Sequence, residues 1–216
     1  MNLKLLDLFC GSGGASKGFQ NEGFKVTGID SEKMPFYCGN KFIQDNVFIL
    51  SLDFIKSFDI IWASPPCQAF ASVTNSISSR NNIYPDLISK CRKLLKSTGK
   101  PYVIENIPNA PLRKDLVLCG QMFDLGVIRH RVFEIEGFKV KQIKHQKHIG
   151  KIGNGKLFQL VGHQNGTLKQ WQTAINCNWI KDRHSLAQTV PPAYAQYIAR
   201  FFKRSINRLW SNYCQS

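Results

Sequence analysis

Leu3-Lys4-Leu5-Leu6-Asp7-Leu8-Phe9-Cys10-Gly11-Ser12-Gly13-Gly14 is the stretch whose reading sets the fold class. Its apolar half, residues 3–9, reads as a buried strand, and the glycine cluster that stops it reads as a tight turn. Residues 15–22 then read as a helix ended by Gly23, and residues 24–29 as a second strand stopping at Asp30. Strand, glycine turn, helix and a strand closing on an acid form the opening of a doubly wound α/β nucleotide-binding sheet. Such a turn brings backbone N–H groups up to a ligand, and a carboxylate ending the second strand can hold a ribose diol.

The same pattern returns further along. Residues 59–63 read as a strand, residues 84–97 as a helix and residues 101–105 as the next strand. Pro65-Pro66-Cys67-Gln68 stands directly behind the first of these. A cysteine at the mouth of a buried strand is where an α/β enzyme holds a nucleophile; a small buried hydrophobe is the competing role. Residues 69–82 are polar and contain neither Gly nor Pro, so they read as a lid over that cysteine or as a plain connector. A closing helix is expected over residues 192–204, with Tyr194, Tyr197, Ile198 and Phe201 on one face.

Lys and Arg number 29 against 14 Asp and Glu, a formal charge of +15 that favours a polyanionic partner, nucleic acid ahead of an acidic membrane surface. Lys139, Lys141, Lys144, Lys147, Lys151 and Lys156 form a run that reads as a phosphate-gripping segment or as a solvated face. His145 and His148 lie within it, but no carboxylate or cysteine accompanies them in sequence, so no metal site is expected. The seven cysteines make no CxxC pair, which fits a reducing compartment. Lys4 and Asp7 interrupt the early apolar run, so neither a signal peptide nor a membrane span is expected.

Taken in order, the Asp7–Gly14 stretch, Pro65-Pro66-Cys67-Gln68, Glu105-Asn106-Ile107 and Arg129-His130-Arg131 resemble the cytosine-5 DNA methyltransferase family, in its small phage-type form. Gln188-Thr189-Val190-Pro191-Pro192 looks like a variant of that family's closing motif. The resemblance covers residues 3–136 and 172–203. It departs from the family pattern at Ser31, Ala71 and Val127, where an aromatic, a serine and a glutamine are usual.

The resemblance implies a doubly wound, Rossmann-like S-adenosylmethionine-dependent methyltransferase sheet with a very small target-recognition insert. Residues 1–136 would form the catalytic core, 137–171 the recognition segment, and 172–216 the return to the core. The implied reaction is methyl transfer from S-adenosylmethionine to C5 of a flipped-out cytosine in double-stranded DNA, through a covalent bond between Cys67 and C6. Cytosine C5 is a poor nucleophile, and thiolate addition at C6 turns it into an enamine-like carbon that can attack a sulfonium methyl.

By the same resemblance, Glu105 would contact N3 and the exocyclic amine, Arg131 the base O2, and Arg129 would brace the nucleophile or phosphates. Phe9, Cys10, Gly11, Ser12, Gly13 and Gly14 would surround the cofactor, with Asp30 on its ribose and Asp53 on its adenine amine. Lys141, Lys144, Lys147 and Lys151 would grip DNA phosphates while Gln164 and Asn165, with Gln159, Lys169 and Gln170, read base edges. The expected setting is the cytoplasm of a bacterium or phage host, for a monomer open to an accessory subunit. A tRNA cytosine-5 methyltransferase of the same fold, and a non-catalytic nucleic-acid-binding regulator, remain as alternatives.

Overall fold

In the computed structural model, which describes residues 2–66, 86–145, 147–152, 157–160 and 166–213, seven strands share one sheet. They are β1 (Lys4–Leu8), β2 (Lys25–Asp30), β3 (Lys41–Gln44), β4 (Ile60–Ala63), β5 (Tyr102–Asn106), β6 (Leu116–Leu118) and β7 (Arg131–Glu136), in spatial order β3-β2-β1-β4-β5-β7-β6. The first five run parallel, and β7 lies antiparallel between β5 and β6. Strand order reverses at β1/β4, and ligands of open α/β sheets bind beyond the carboxyl ends of the strands at such a point. Because β7 runs the opposite way, its first residue, Arg131, lies at that same sheet edge.

Buried strands covered on both faces carry continuous apolar runs, as in Ile60-Ile61-Trp62-Ala63. On one face Leu5, Val26, Trp62, Val103 and Phe133 pack against α1 (Gly14–Gln20) and α6 (Pro192–Tyr213), through Phe19, Tyr194, Ile198 and Phe202. On the other face Leu6, Leu8, Ile61 and Ile104 meet α2 (Leu52–Lys56) and α3 (Leu87–Thr98), through Ile55, Ile88, Cys91 and Leu95. Gly23 and Gly99, at φ 84° and 65°, end α1 and α3 in the left-handed conformation that suits glycine.

The expected order of strand, turn and helix is present among the described residues, the helix expected over 84–97 being α3 from Leu87, with residues 84 and 85 outside them; two differences stand out. The closing helix runs on to Tyr213, well past residue 204. Strands β3, β6 and β7 and the helices α4 (Leu168–Ile175) and α5 (Arg183–Gln188) add to the pattern. Leu157, Phe158 and Leu160 are buried, and Phe158 exchanges backbone hydrogen bonds with Gly126 and Ile128. The segment after β7 therefore returns into the main core. Among the described residues no helix is long and apolar enough to cross a membrane.

Candidate active site

The glycine turn is built by backbone geometry. Phe9, Gly11 and Gly13 have φ of 57°, 49° and 82°, so the chain reverses within a few residues as it leaves β1. Gly11 N–H donates to Asp30 Oδ2 at 3.0 Å, which sets the carboxylate ending β2 against the turn. At Gly14 the reason for glycine is space. A Cβ there would lie 2.1 Å from the Val190 carbonyl oxygen, and one at Gly18 would lie 2.3 Å from that of Pro192. The closing motif is thereby pressed onto α1 and forms a wall of the turn. Trp179 adds a further support, its indole N–H donating to the Ser12 carbonyl at 2.9 Å.

Beneath the turn lies Asp7, 1% exposed, which the motif reading left without a role. Ser16 donates to its Oδ2 from both Oγ (2.6 Å) and the backbone N–H (3.1 Å), while Oδ1 has no hydrogen-bond partner. Burial pushes its carboxyl up to about 7, against the pull of the Ser16 bonds and with some help from the charges of Asp30 and Glu105. Burial likewise raises the Cys10 thiol far above its ordinary range, so Cys10 packs as a small apolar group.

Glu105 and Asn106 end β5, both nearly fully buried. Glu105 pairs in register with Phe133, two residues from Arg131 on the same face of β7, and this diagonal brings Arg131 Nε to 2.8 Å from Glu105 Oε1. The contact is an ion pair without the alignment of a hydrogen bond, and it supplies the counter-charge a buried carboxylate needs. Asn106 Nδ2 donates to the Pro65 carbonyl at 2.9 Å and so ties Pro65, two residues past β4, to the end of β5. Arg129, 8% exposed, donates through Nη2 to the Ala187 carbonyl at 2.6 Å, and its own carbonyl accepts from Tyr194 Oη.

Thus the glycine turn, Asp30, Pro65, Glu105, Arg129 and Arg131 gather at one sheet edge. Cys67, the 69–82 loop, Gln164 and Asn165 lie outside the described residues. Asp53 is exposed in the first turn of α2, and the cap there is Ser51 Oγ, so Asp53 is not spent on capping. Phe9 is half-buried and meets Phe48 edge-on at 5.9 Å. The lysines divide: Lys141 lines a groove against Phe201, Arg204 and Arg208 of α6, while Lys144 and Lys147 line another beside Gln121 and Leu157. Lys151 is exposed, as is Gln159, and the Gln170 side chain is used in capping α4 through Thr167.

Sequence spacing joins no cysteine to His145 and His148, whereas the fold brings Cys119 and His130 to them. The expectation that no cysteine accompanies these histidines is corrected here: Cys119 Sγ lies 3.4 Å from His148 Nε2. The signal was hidden because the four residues come from three separate segments.

A family model described as C-5 cytosine-specific DNA methylase matches residues 3–123. A type II methyltransferase of Haemophilus parahaemolyticus is 28% identical over 126 residues, spanning 50% of this chain and 33% of that protein. A Frog virus 3 protein described as a DNA (cytosine-5)-methyltransferase is 28% identical over 123 residues, 48% of this chain and 53% of that one. The chain thus matches a third to a half of the length of these relatives. Among solved structures, a protein described as a DNA modification methyltransferase encoded within an E. coli prophage superposes with a TM-score of 0.70 over 95% of this chain and 100% of that one. At 13% identity that likeness speaks for the fold.

Proposed function

The chain belongs to the C-5 cytosine-specific DNA methylase family, and on that footing we propose that it transfers the methyl group of S-adenosylmethionine to C5 of cytosine in double-stranded DNA. The observation that carries this reading is the convergence of the glycine turn, Asp30, the Pro65-Pro66 loop and the Glu105–Arg131 pair at the carboxyl edge of the sheet. Residues 137–171 would serve as the recognition segment between a core of residues 1–136 and a return over 172–216.

The residues fit the cofactor. Asp30 sets a carboxylate against the turn and Asp7 Oδ1 lies buried beneath it without a hydrogen-bond partner, acceptor groups suited to a cationic ligand. Residues 9–14 would line the cofactor, Asp30 would take its ribose hydroxyls and the exposed Asp53 its adenine amine. When bound, S-adenosylmethionine supplies an electrophilic methyl group on a sulfonium.

The remaining chemistry belongs to the chain. A base inside a duplex is out of reach, so the cytosine is flipped out. The Cys67 thiolate would add to C6 and leave C5 an enamine-like carbon, able to take the methyl group that S-adenosylmethionine would supply as the methyl–sulfur bond breaks and its electron pair stays on sulfur. Loss of the C5 proton then expels the thiolate and restores the ring. Glu105, after taking up a proton from solvent, would deliver it to N3 and take it back, Arg131 would hold O2, and Arg129, clasped by Ala187 and Tyr194, would brace the nucleophile loop or a phosphate. The 69–82 loop would close over the flipped base and exclude water. Lys141, Lys144, Lys147 and Lys151 would bind phosphates, with Gln164 and Asn165 at base edges.

The test is mechanism-based trapping on duplex DNA containing 5-fluorocytosine, which blocks loss of the group at C5 after methyl transfer. Wild-type protein is expected to form a covalent adduct that needs S-adenosylmethionine, and Cys67→Ser none. Absence of an adduct, together with no methyl transfer to unmodified duplex, overturns the reading. Transfer to tRNA in the same assay would move the substrate to RNA.

A further inference from the structure

We propose that Cys119, His130, His145 and His148 bind one zinc ion, forming a structural site that pins the lysine-rich segment after β7 to the strand carrying Arg131. One donor atom from each of the four residues lies within 4.8 Å of all the others. His130 Nε2 and His145 Nε2 are 3.0 Å apart, His145 Nε2 and His148 Nε2 3.2 Å, and Cys119 Sγ and His148 Nε2 3.4 Å. Tetrahedral zinc with nitrogen at about 2.0–2.1 Å and sulfur at about 2.3 Å requires edges of roughly 3.3 Å between nitrogens and 3.6 Å between sulfur and nitrogen. These three edges match those values to within a few tenths of an ångström, and the other three lie within 4.8 Å.

Ring positions give an independent check. Imidazoles radiating from one tetrahedral ion put their centroids about 5.2 Å apart, since each centroid lies about 3.2 Å from the metal. The three centroid separations here are 5.1, 5.1 and 4.8 Å. In the His130–His145 and His145–His148 pairs the nitrogens are closer together than the ring centres, so these rings turn their Nε2 atoms toward one another. A hydrogen-bonded chain explains this less well, because His145 Nε2 faces two other Nε2 atoms and a neutral imidazole has a single N–H to share. Three imidazoles and one thiol, with no carboxylate, form a donor set for zinc rather than for magnesium or calcium. On binding, the thiol proton leaves and sulfur bonds as thiolate.

The fold explains why such a site is useful. Cys119 follows β6, and His130 immediately precedes β7, so the sheet holds two ligands. His145 and His148 belong to a segment with little core of its own, where Ile149 is 78% exposed. It is attached by two side-chain amides: Gln142 exchanges both hydrogen bonds with the Val117 backbone, and Gln121 does the same with Ile149. Small regions without a core are commonly secured by metal. His130 stands between Arg129 and Arg131, so the ion would also brace these two; that consequence alone rests on the methyltransferase reading.

The test begins with zinc content of the purified full chain grown in zinc-supplemented medium, where one equivalent is expected. Exchange for cobalt(II) should give the strong visible absorption of a tetrahedral site with a thiolate charge-transfer band. Cys119→Ser should abolish that band. His145→Ala, at an exposed position outside the hydrophobic core, should weaken zinc affinity by at least about tenfold. His184→Ala, an exposed histidine outside the cluster, should leave both readouts unchanged. Less than half an equivalent of zinc, or a cobalt spectrum indifferent to Cys119→Ser, overturns the proposal. These readouts do not involve methyl transfer, so failure here is separable from failure of the catalytic reading.

Discussion

Asp7→Asn offers a direct measurement of what burial does at the base of the glycine turn. The folded carboxyl is pushed up to about 7 from an ordinary 3.8, chiefly by burial. In the folded chain it therefore keeps a proton that the unfolded chain has released. Stability thus falls as pH rises from about 4 through about 7, and levels off above; one proton difference is worth about 1.4 kcal/mol per pH unit. Between pH 5 and pH 7 the wild type should lose about 2 kcal/mol relative to the asparagine variant. For a domain of this size that corresponds to a change of about 4–8 °C in their Tm difference. The amide oxygen of asparagine can accept both Ser16 bonds, while its NH2 meets the environment that leaves Oδ1 without a partner. That second effect adds a pH-independent offset, so the slope alone is diagnostic. Thermal melts of both proteins at a series of pH values supply it, because carboxylates elsewhere, such as Glu134, cancel in the difference. Parallel curves across pH 5–8 would refute the reasoning.

Gly14→Ala should cost about 1–3 kcal/mol or more, since its Cβ would lie 2.1 Å from the Val190 carbonyl oxygen; a urea melt showing no loss would contradict the close approach. Arg92→Ala should destabilise by about 3 kcal/mol, because Arg92 gives Glu134, 2% exposed, two bonds of 2.8 Å. That pair holds the Glu134 carboxyl below its ordinary range, so the wild-type advantage should be present near neutrality and disappear in acid, as urea titrations at two pH values would reveal. Glu105→Gln should lower methyl transfer by about a hundredfold or more while calorimetry shows S-adenosylmethionine binding retained. Reversing Lys141, Lys144, Lys147 and Lys151 together should weaken DNA binding and flatten its dependence on salt, measured by fluorescence anisotropy.

Four of the five parallel strands, β1, β2, β4 and β5, were legible because they are apolar-rich runs punctuated by Gly and Pro, a pattern that survives in one dimension. β7 was not, since Arg131-Val-Phe-Glu-Ile-Glu136 carries a buried glutamate whose partner, Arg92, is 42 residues away. β3 is a short edge strand with half-exposed side chains, so it offers little hydrophobic signal. α4 could have been found from Thr167 and Gln170, which form a capping box. At the site, the order of motifs announced Asp30, Glu105 and the two arginines. The Glu105–Arg131 contact needed the antiparallel register of β5 and β7, and the Cys119–histidine grouping needed the chain to double back along β6.

The pressing of Val190–Pro192 onto Gly14 and Gly18 has a consequence for biosynthesis. A ribosome releases those glycines early, yet the wall that completes their turn emerges only after residue 192 has been made. Until then Phe19 and Phe24 lack Phe202 and the rest of α6 as cover, so the nascent amino-terminal half exposes aromatic surface to chaperones. Glu22 fastens Gln196 and Arg200 across the same seam, which brings two distant stretches of one polypeptide side by side. Two separately expressed pieces, divided within the 69–82 stretch, should therefore find each other and reassemble.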